Sequence, residues 1–298
     1  MPELNQLVNG PIVGIVMKEC ARRATAAIRG KRFTFQAEQK GTRPDGRADW
    51  VTDADKLAQK IYTKLLTECF PFFGIVGEED ELNIPCRIPE HNIFFTVDPL
   101  DGTSAFKRMA SSGIATMCSL VWNDVVIAVV IGDVLTGEIY CFRPDSERTH
   151  RIDQTGFPKR LKIDPERTLK SQYLLLRAPV AKHSGLTRKV CEASVNGKLF
   201  QDVDLASGSI GLSMARLWKG EVGGAILLPM NQTPWDSNPI IGMNKRLGFL
   251  TFEIRPEGIV EIEQIPKAET YMSHHPILVV HSSRVIELHE WCKTNLHP

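Results

Sequence analysis

The segment Ile93-Phe94-Phe95-Thr96-Val97-Asp98-Pro99-Leu100-Asp101-Gly102-Thr103 carries the strongest structural information in this chain. Its first five residues predict a buried strand, and two aspartates follow directly after it. A helix predicted to begin near Thr103 would point its free backbone N–H groups at Asp98 and Asp101 and favour an anion there. Carboxylates beside an anion site need a cation between them. A hard divalent ion with oxygen ligands, such as Mg²⁺, meets that need.

Taken alone, Asp98 and Asp101 are equally well explained as turn formers around Pro99 and as a helix cap. Two other segments favour the metal site. Gly77-Glu78-Glu79 follows a second apolar strand, and Trp235-Asp236 follows a loop in the other half of the chain. Carboxylates at several predicted element ends indicate a common site.

The composition is that of an ordinary globular enzyme. The chain has 298 residues, 43% of them hydrophobic and 24% charged, which excludes disordered and fibrous classes. With 36 basic and 35 acidic side chains the formal charge is +1, so no overall field attracts a nucleic acid or a membrane surface. We therefore expect an anionic substrate to be bound by local groups.

Seven cysteines without a CxxC pair predict neither a disulfide framework nor a zinc site, and they suit a reducing, cytoplasmic environment. The first nine residues lack the pattern of a signal peptide. The longest apolar stretch, residues 125–131, is too short to span a bilayer.

Two helices are predicted before the first strand. Apolar residues from Leu4 to Ile28, including Ile12 and Ile15, recur at helical spacing, with an interruption near Gly10-Pro11. A polar loop is predicted over residues 40–49. Thr52 and Asp55 then form a capping box that begins a second helix, which ends near Pro71 and has one apolar face; that face is predicted to consist of Leu57, Ile61 and Leu65.

Short apolar runs bounded by Gly, Asp, Asn or Pro predict the strands of the first half; they are 73–76, 93–97, 115–121, 125–131 and 138–142. Hairpin turns at Asn123-Asp124 and Leu135-Thr136-Gly137 make this sheet largely antiparallel.

The second half alternates strand and helix. Residues 143–167 are charged and contain three prolines, which predicts a boundary. After it we predict strands at 173–177 and 198–200, and helices at 186–195 and 209–219. The resulting division has an N-terminal α+β subdomain, 1–160, with most of the metal ligands, and a C-terminal α/β subdomain, 161–298, with Trp235-Asp236 and the substrate side.

Four segments, in order, resemble the motifs of the inositol monophosphatase family of magnesium-dependent, lithium-sensitive phosphatases; they are Val51-Thr52-Asp53-Ala54-Asp55, Gly77-Glu78-Glu79, Asp98-Pro99-Leu100-Asp101-Gly102-Thr103 and Trp235-Asp236. Order and spacing both agree with the family from about Val51 to Gly248, and the third segment is the specific one. The resemblance implies an α+β, or α/β, layered sandwich in which sheets and helices alternate in two subdomains.

The resemblance also implies the metal ligands. Glu78, Asp98 and the carbonyl oxygen of Leu100 would hold one Mg²⁺, while Asp98, Asp101 and Asp236 would hold a second. Asp98 would bridge the two ions, and a third, weaker ion would lie near Glu78. Two such ions lower the pKa of a bound water and neutralise phosphoryl oxygens.

The remaining implied roles concern water and substrate. Thr103 paired with Asp55 would orient the attacking water, and the backbone N–H groups of Gly102 and Thr103 would bind the phosphate. Gly208 and Ser209 resemble part of a substrate-side glycine turn. Each has a simpler alternative, because Asp55 suits a helix N-terminus and a small-residue turn suits a helix cap.

Three segments on the substrate side depart from the family pattern. Arg246-Leu247-Gly248-Phe249 replaces a Glu-Ala-Gly-Gly motif, residues 227–232 contain no acid, and residues 145–150 replace a glycine-rich turn. The catalytic motifs therefore match the family, whereas the specificity pocket does not.

The leading hypothesis is a magnesium-dependent phosphomonoesterase, a homodimer, acting on a small sugar, polyol or similar phosphate. Phe106 followed by Lys107-Arg108 resembles phosphatases that act on bisphosphates, such as bisphosphate nucleotidase, and fructose-1,6-bisphosphatase or histidinol-phosphatase activity uses the same core. A third hypothesis, of another class, is a metal-binding regulatory protein with weak or no turnover.

Overall fold

The computed structural model describes residues 8–42, 46 and 48–296, which form five alternating layers of helix and sheet. The helices are α1 (Gly10–Lys31), α2 (Asp53–Cys69), α3 (Thr103–Lys107), α4 (Gly185–Val195), α5 (Ile210–Trp218), α6 (Pro234–Leu247) and α7 (Val285–Leu296). No helix in the described part of the chain is both long and apolar enough to cross a bilayer.

The first half of the chain contains ten strands among the described residues; they are β1 (Ala37–Thr42), β2 (Ala48–Thr52), β3 (Gly74–Gly77), β4 (Asn83–Ile84), β5 (Ile93–Asp101), β6 (Ala115–Trp122), β7 (Val125–Asp133), β8 (Ile139–Phe142), β9 (His150–Ile152) and β10 (Pro158–Arg160). The second half contains β11 (Tyr173–Leu176), β12 (Asp202–Leu205), β13 (Gly224–Leu227), β14 (Asn231–Gln232), β15 (Phe249–Arg255), β16 (Gly258–Ile262), β17 (Tyr271–Met272) and β18 (Ile277–His281).

The first large sheet has eight strands in the order β10-β9-β8-β7-β6-β5-β3-β4, and only its β3–β5 pair is parallel. The second has six strands in the order β12-β11-β13-β18-β15-β16. The predicted antiparallel character of the first sheet is confirmed. The turn residues Asn123 and Asp124 have φ values of 45° and 62°, as a two-residue hairpin requires.

Both faces of the first sheet are covered by helices. Neighbouring residues of a strand point to opposite faces, so alternate side chains of β6 pack against different helix layers. Cys118 and Leu120 of β6 pack against α1 and α2, while Met117 packs against the central helices α5 and α6. The second sheet covers those helices from the other side, and α4 and α7 cover its outer face. The predicted layered sandwich of helices and sheets is confirmed.

Both predicted helices are present, but α1 begins at Gly10 and the buried faces differ in part from those predicted. In α1, Ile12 and Ile15 are exposed, and the buried stripe contains Val13, Met17 and small residues. A Cβ atom on Gly14 would lie 2.8 Å from Arg143 Cδ, so the small residues let α1 approach the sheet edge closely. Leu4 and Leu7 lie outside the described residues.

The buried face of α2 is shifted in the same way. Leu57 is exposed, whereas Ala58, Tyr62 and Leu66 are buried. The capping box of Thr52 and Asp55 is present as predicted.

Three other expectations were wrong in detail. Residues 40–42 and 48–49, predicted as part of a loop, lie in β1 and β2, which pair with each other. The 143–167 segment adds β9 and β10 to the first sheet. The strand predicted at 198–200 lies instead at Asp202–Leu205. Leu199 and Phe200 are buried in the core that α4 covers. The division of the chain at residue 160 stays a prediction.

Gly113 joins the two halves of the chain, because its carbonyl accepts a hydrogen bond from the Ser209 N–H at 2.9 Å. Its φ is +77°, and an added Cβ would lie 2.6 Å from the Ser207 carbonyl oxygen. Gly156 has a similar φ of +86° but no heavy atom within 4 Å of its would-be Cβ. Alanine substitution at Gly156 therefore tests backbone strain alone, whereas substitution at Gly113 tests strain together with crowding.

We expect Gly156→Ala to lower the free energy of unfolding by about 1 kcal/mol, the usual cost of a left-handed alanine. Gly113→Ala should cost at least about 2 kcal/mol more, because the Ser207 backbone must also move. Urea unfolding of both variants measures the difference. Equal losses would contradict the close packing of residues 113 and 207.

Candidate active site

A β-bulge brings Asp98 and Asp101 to the same side of β5. Asp98 pairs with Met117 of β6 and Asp101 with Ala115, so three steps along β5 match two along β6. In a regular strand, residues three apart point to opposite faces, and one extra residue corrects this. Asp98 and Asp101 are both buried, at 2% and 7% exposure.

Asp236 completes a cluster of three carboxylates. It lies in the first turn of α6, and the Thr233 hydroxyl donates to its Oδ2 at 2.8 Å. One oxygen from each of Asp98, Asp101 and Asp236 lies within 4.8 Å of the other two. Oδ1 of Asp98 is buried and has no hydrogen-bond partner among the described residues. The cluster therefore has the donor atoms and the spacing that suit a hard cation.

Asp101 is also held by the N-terminus of α5. Its carboxylate accepts hydrogen bonds from the Ser209 hydroxyl, from the Ile210 N–H at 3.1 Å and from the Gly211 N–H at 2.8 Å. Free N–H groups at a helix start favour a negative charge. The turn predicted to be on the substrate side thus orients a carboxylate of the cluster.

Arg177 fixes this turn and was not predicted from the sequence. Its guanidinium donates to the carbonyl oxygens of Gly208 and Ser209 at 2.7 and 3.0 Å, and to the Ser213 hydroxyl at 2.6 Å. An arginine at the end of a predicted strand carries no sequence signal that distinguishes it from a solvated one.

Glu78 and Glu79 follow β3 and share one cation. Lys40 Nζ lies 2.8 Å from Glu78 Oε1 and 2.7 Å from Glu79 Oε1. Glu78 is outside the group of three aspartates, but its charge acts on Asp98. Lys40 was assigned to a loop, so its position opposite the two glutamates was not predicted.

Asp55 and Thr103 are joined by a hydrogen bond. Asp55 is fully buried, and its Oδ2 accepts from the Thr52 N–H at 2.9 Å and from the Thr52 hydroxyl. The Thr103 hydroxyl lies 3.1 Å from Asp55 Oδ1 and 3.1 Å from the Leu100 carbonyl oxygen. Asp55 therefore has two functions, since it caps α2 and also contacts Thr103.

Glycines allow three backbone segments to meet beside the carboxylates. Gly102 has a φ of +97°, and a Cβ there would lie 2.3 Å from the Gly113 carbonyl oxygen. A Cβ on Gly208 would lie 2.4 Å from the same oxygen. No other residue type fits at either position without movement of the backbone.

Phe106 and the basic pair Lys107-Arg108, which follow Thr103 in the chain, make contacts away from the carboxylate cluster. Phe106 is fully buried against Phe35, and Lys107 covers the ring of Trp50. Arg108 is exposed and its Nε donates to the Ser104 carbonyl oxygen.

Burial and mutual repulsion dominate the electrostatics. Burial, together with the charges of Glu78, Asp101 and Asp236, raises the pKa of Asp98 well above its ordinary value. Burial and neighbouring acids raise the pKa of Asp236 to about 7. In the absence of a cation, the cluster therefore favours bound protons.

The surrounding acids are shifted too. Burial raises the pKa of Asp55 to about 6, and burial with the charge of Glu78 raises the pKa of Glu79 to about 7. Burial alone would lower the pKa of Lys40, but Glu78 and Glu79 raise it above its ordinary value. Perturbed groups gathered in one place are typical of functional sites.

The family model described as the inositol monophosphatase family matches residues 13–239, more than half of the chain. A Nus factor SuhB from Xylella fastidiosa is 33% identical over 135 residues, which are 44% of this chain and 44% of that protein. An inositol-1-monophosphatase from Caulobacter vibrioides is 27% identical over 57% of this chain and 62% of its own length. The matched segment is thus less than two thirds of either relative.

Two solved structures share the fold over nearly the whole chain. The extragenic suppressor protein suhB from Bartonella henselae has a TM-score of 0.70 at 23% identity, covering 95% of this chain and 99% of that one. An IMPase/NADP phosphatase complexed with NADP and Ca²⁺ has a TM-score of 0.70 at 16% identity, covering 96% of each. At these identities the likeness establishes the fold alone.

The pKa of Asp236 predicts a pH-dependent effect of Asp236→Asn on metal-free protein. Between about pH 4 and 7 the folded state keeps a proton that the unfolded state has lost, so rising pH destabilises the wild type relative to the variant. We expect the Tm of Asp236→Asn minus that of wild type to grow from pH 5 to 7 and then level off.

Thermal unfolding after metal removal measures this difference, in which titrating groups remote from the carboxylate cluster cancel. Asp124→Asn, on an exposed hairpin turn, is the matched control and should show no such trend. A Tm difference that stays constant between pH 5 and 8 would contradict the raised pKa.

Proposed function

The chain belongs to the inositol monophosphatase family, and from this premise we propose that it is a magnesium-dependent phosphomonoesterase acting on a small phosphorylated metabolite. The cluster of Asp98, Asp101 and Asp236 is the observation that carries the proposal. Three carboxylates at this spacing repel one another unless protons or cations lie between them. At neutral pH a divalent cation provides that charge.

The residues present fit Mg²⁺. The cluster offers oxygen atoms only, and the orphaned Oδ1 of Asp98 is a buried acceptor without a donor. We assign Asp98, Asp101 and Asp236 to one ion, and Glu78, Asp98 and the Leu100 carbonyl oxygen to another. A third ion near Glu78 would compete with Lys40 for that carboxylate.

Bound Mg²⁺ ions would acidify a water molecule and neutralise phosphoryl oxygens. The protein's own groups do the positioning. Because the Thr103 hydroxyl donates to Asp55, its oxygen is left to accept a hydrogen bond from the attacking water and so set the direction of that water. Burial raises the pKa of Asp55 to about 6, so at pH 7 the carboxyl group is ionised in most protein molecules. In that state it can accept a proton.

Phosphate binding falls to the start of α3. Gly102 caps this helix and Thr103 is its first residue, so their backbone N–H groups lie at its N-terminus. The left-handed conformation of Gly102 turns the chain there. Gly208 and Ser209 support the site indirectly, since Ser209 contacts Asp101. No covalent nucleophile is needed for this chemistry.

The substrate class rests on the family and on the altered pocket. A sugar, polyol or similar phosphate suits a family that includes an inositol-1-monophosphatase. A bisphosphate substrate is the alternative on the same core, and its second phosphate would need cations beyond Lys107, which covers Trp50. We also propose that the enzyme is a cytoplasmic homodimer inhibited by lithium.

A regulatory role is the second candidate function, because several relatives carry the name Nus factor SuhB. The four carboxylates assigned as ligands are all present, and this favours turnover. Mg²⁺ titration calorimetry beside a panel of small phosphates separates the two. Binding of Mg²⁺ without hydrolysis of any panel member would favour the regulator.

Asp98→Asn should separate activity from stability. We expect the rate of p-nitrophenyl phosphate or inositol phosphate hydrolysis to fall at least about a hundredfold, because a carboxylate that would hold the metal is lost. The Tm of the metal-free protein should rise, because wild-type Asp98 must either bury a repelled charge or take up a proton on folding, and asparagine needs neither. Asp124→Asn is the matched control, expected to change neither.

Full activity of Asp98→Asn, or hydrolysis by the wild type that persists in excess chelator, would contradict the proposed mechanism. A loss of activity together with a lower Tm would indicate misfolding and would also contradict the repulsion described above.

Thr103→Val tests the positioning of water. Valine keeps the shape but removes the hydroxyl that contacts Asp55, so we expect kcat to fall about a hundredfold with little change in Mg²⁺ affinity. Thr103→Ser keeps the hydroxyl and should retain most of the activity. Equal losses in the two variants would argue against a role for the hydroxyl.

A further inference from the structure

A cleft separate from the carboxylate cluster lies where residues 145–150 meet residues 246–249, two of the segments that depart from the family pattern. Glu147 and Thr149, from the segment directly before β9, face Arg246 near the end of α6 across a cavity of about 370 Å³. Arg160 and Lys162 complete its rim. The volume is in the range of small-molecule sites.

The cleft carries an excess of positive charge. The side chains of Arg160, Lys162 and Arg246 make no hydrogen bond or ion pair with other described residues, and Glu147 is the one acid in the lining. Arg246 is half-buried, with its guanidinium 4.9 Å from the ring centroid of Phe142. This stacking orders the guanidinium in advance, so less entropy is lost when it binds an anion.

Thr149 adds a polar group that has no partner. It is 2% exposed, and its hydroxyl has no hydrogen-bond partner among the described residues. A buried hydroxyl left unpaired costs free energy, which a ligand oxygen can recover. Thr149 is therefore an independent indication that the cleft accepts a polar ligand.

The rim has a positive field beyond the three lining residues. Burial, followed by the charges of Arg148, Lys18 and Arg160, lowers the pKa of His150. This local excess contrasts with the overall charge of +1. It would raise the local concentration of small anions.

We propose that this cleft is a second anion site, which binds the phosphate group of a small phosphorylated ligand through Arg160, Lys162, Arg246 and Thr149. It lies apart from the carboxylate cluster, because Arg246 is ten residues beyond Asp236 on α6, roughly 15 Å along the helix. The proposal does not depend on the function proposed for the cluster.

Inorganic pyrophosphate is a suitable probe, titrated by calorimetry into metal-stripped, full-length protein in a buffer free of chelator. We expect binding at one site, weakened at least about tenfold by Arg246→Gln and by the double change Arg160→Gln and Lys162→Gln. The double variant changes exposed residues only, so it remains informative if Arg246→Gln disturbs packing.

Two further variants provide controls. Glu147→Gln should tighten pyrophosphate binding severalfold, because it removes the acid from the cleft; misfolding would not produce this gain. Lys245→Gln, next to Arg246 on α6 but paired with Glu263, should leave the affinity unchanged.

Three results would overturn the proposal. They are no binding at millimolar pyrophosphate, equal affinity in all variants, and a single-stranded RNA that competes with pyrophosphate and is weakened as much by Lys245→Gln as by Arg246→Gln. The last result would indicate a diffuse nucleic-acid surface in place of a small-anion site.

Discussion

Asp98, Asp101 and Asp236 place carboxylate oxygens within 4.8 Å of one another, and the first two are buried. Like charges at this distance repel strongly where water is excluded. The surrounding structure offsets that repulsion in part, through the N–H groups of Ile210 and Gly211 and the hydroxyl of Thr233. The rest requires protons or a cation, and this requirement links the fold to its chemistry.

The layered architecture assembles this cluster from distant parts of the chain. The bulge in β5 supplies Asp98 and Asp101, while the first turn of α6, packed between the two sheets, supplies Asp236. The α5 N-terminus meets the β5 end through the contact of Gly113 with the Ser209 N–H. The glycines at these crossings are needed because the backbones approach too closely for any Cβ.

Much of the fold followed from local sequence patterns. The strand at 93–97, the Asn123-Asp124 turn and the capping box of Thr52 rest on short-range chemistry, and all three are present in the structure. The buried face of α1 was assigned correctly only in part: Ile28 is buried as expected, but Ile12 and Ile15 are exposed and small residues take their place in the close packing. Burial of a helix face depends on its partner, which periodicity does not report.

The candidate site was predictable only where its residues lie in local sequence motifs. Asp98, Asp101 and Asp236 were expected at element ends; Asp98 in fact lies within β5, and the three carboxylates form a cluster. Lys40 and Arg177 act on the site through tertiary contacts between segments far apart in sequence. The bulge that aligns Asp98 with Asp101 depends on pairing with β6, so neither residue alone indicates it.

The most direct measurement is a crystal structure of the protein soaked with Mn²⁺ and inorganic phosphate, with anomalous scattering used to locate the metal. The account predicts anomalous peaks between the carboxylates of Asp98, Asp101 and Asp236, with phosphate beside the N–H groups of Gly102 and Thr103. The same soak of Asp98→Asn should lose or weaken those peaks. An ordered cluster without metal, or metal bound only elsewhere, would contradict the central claim.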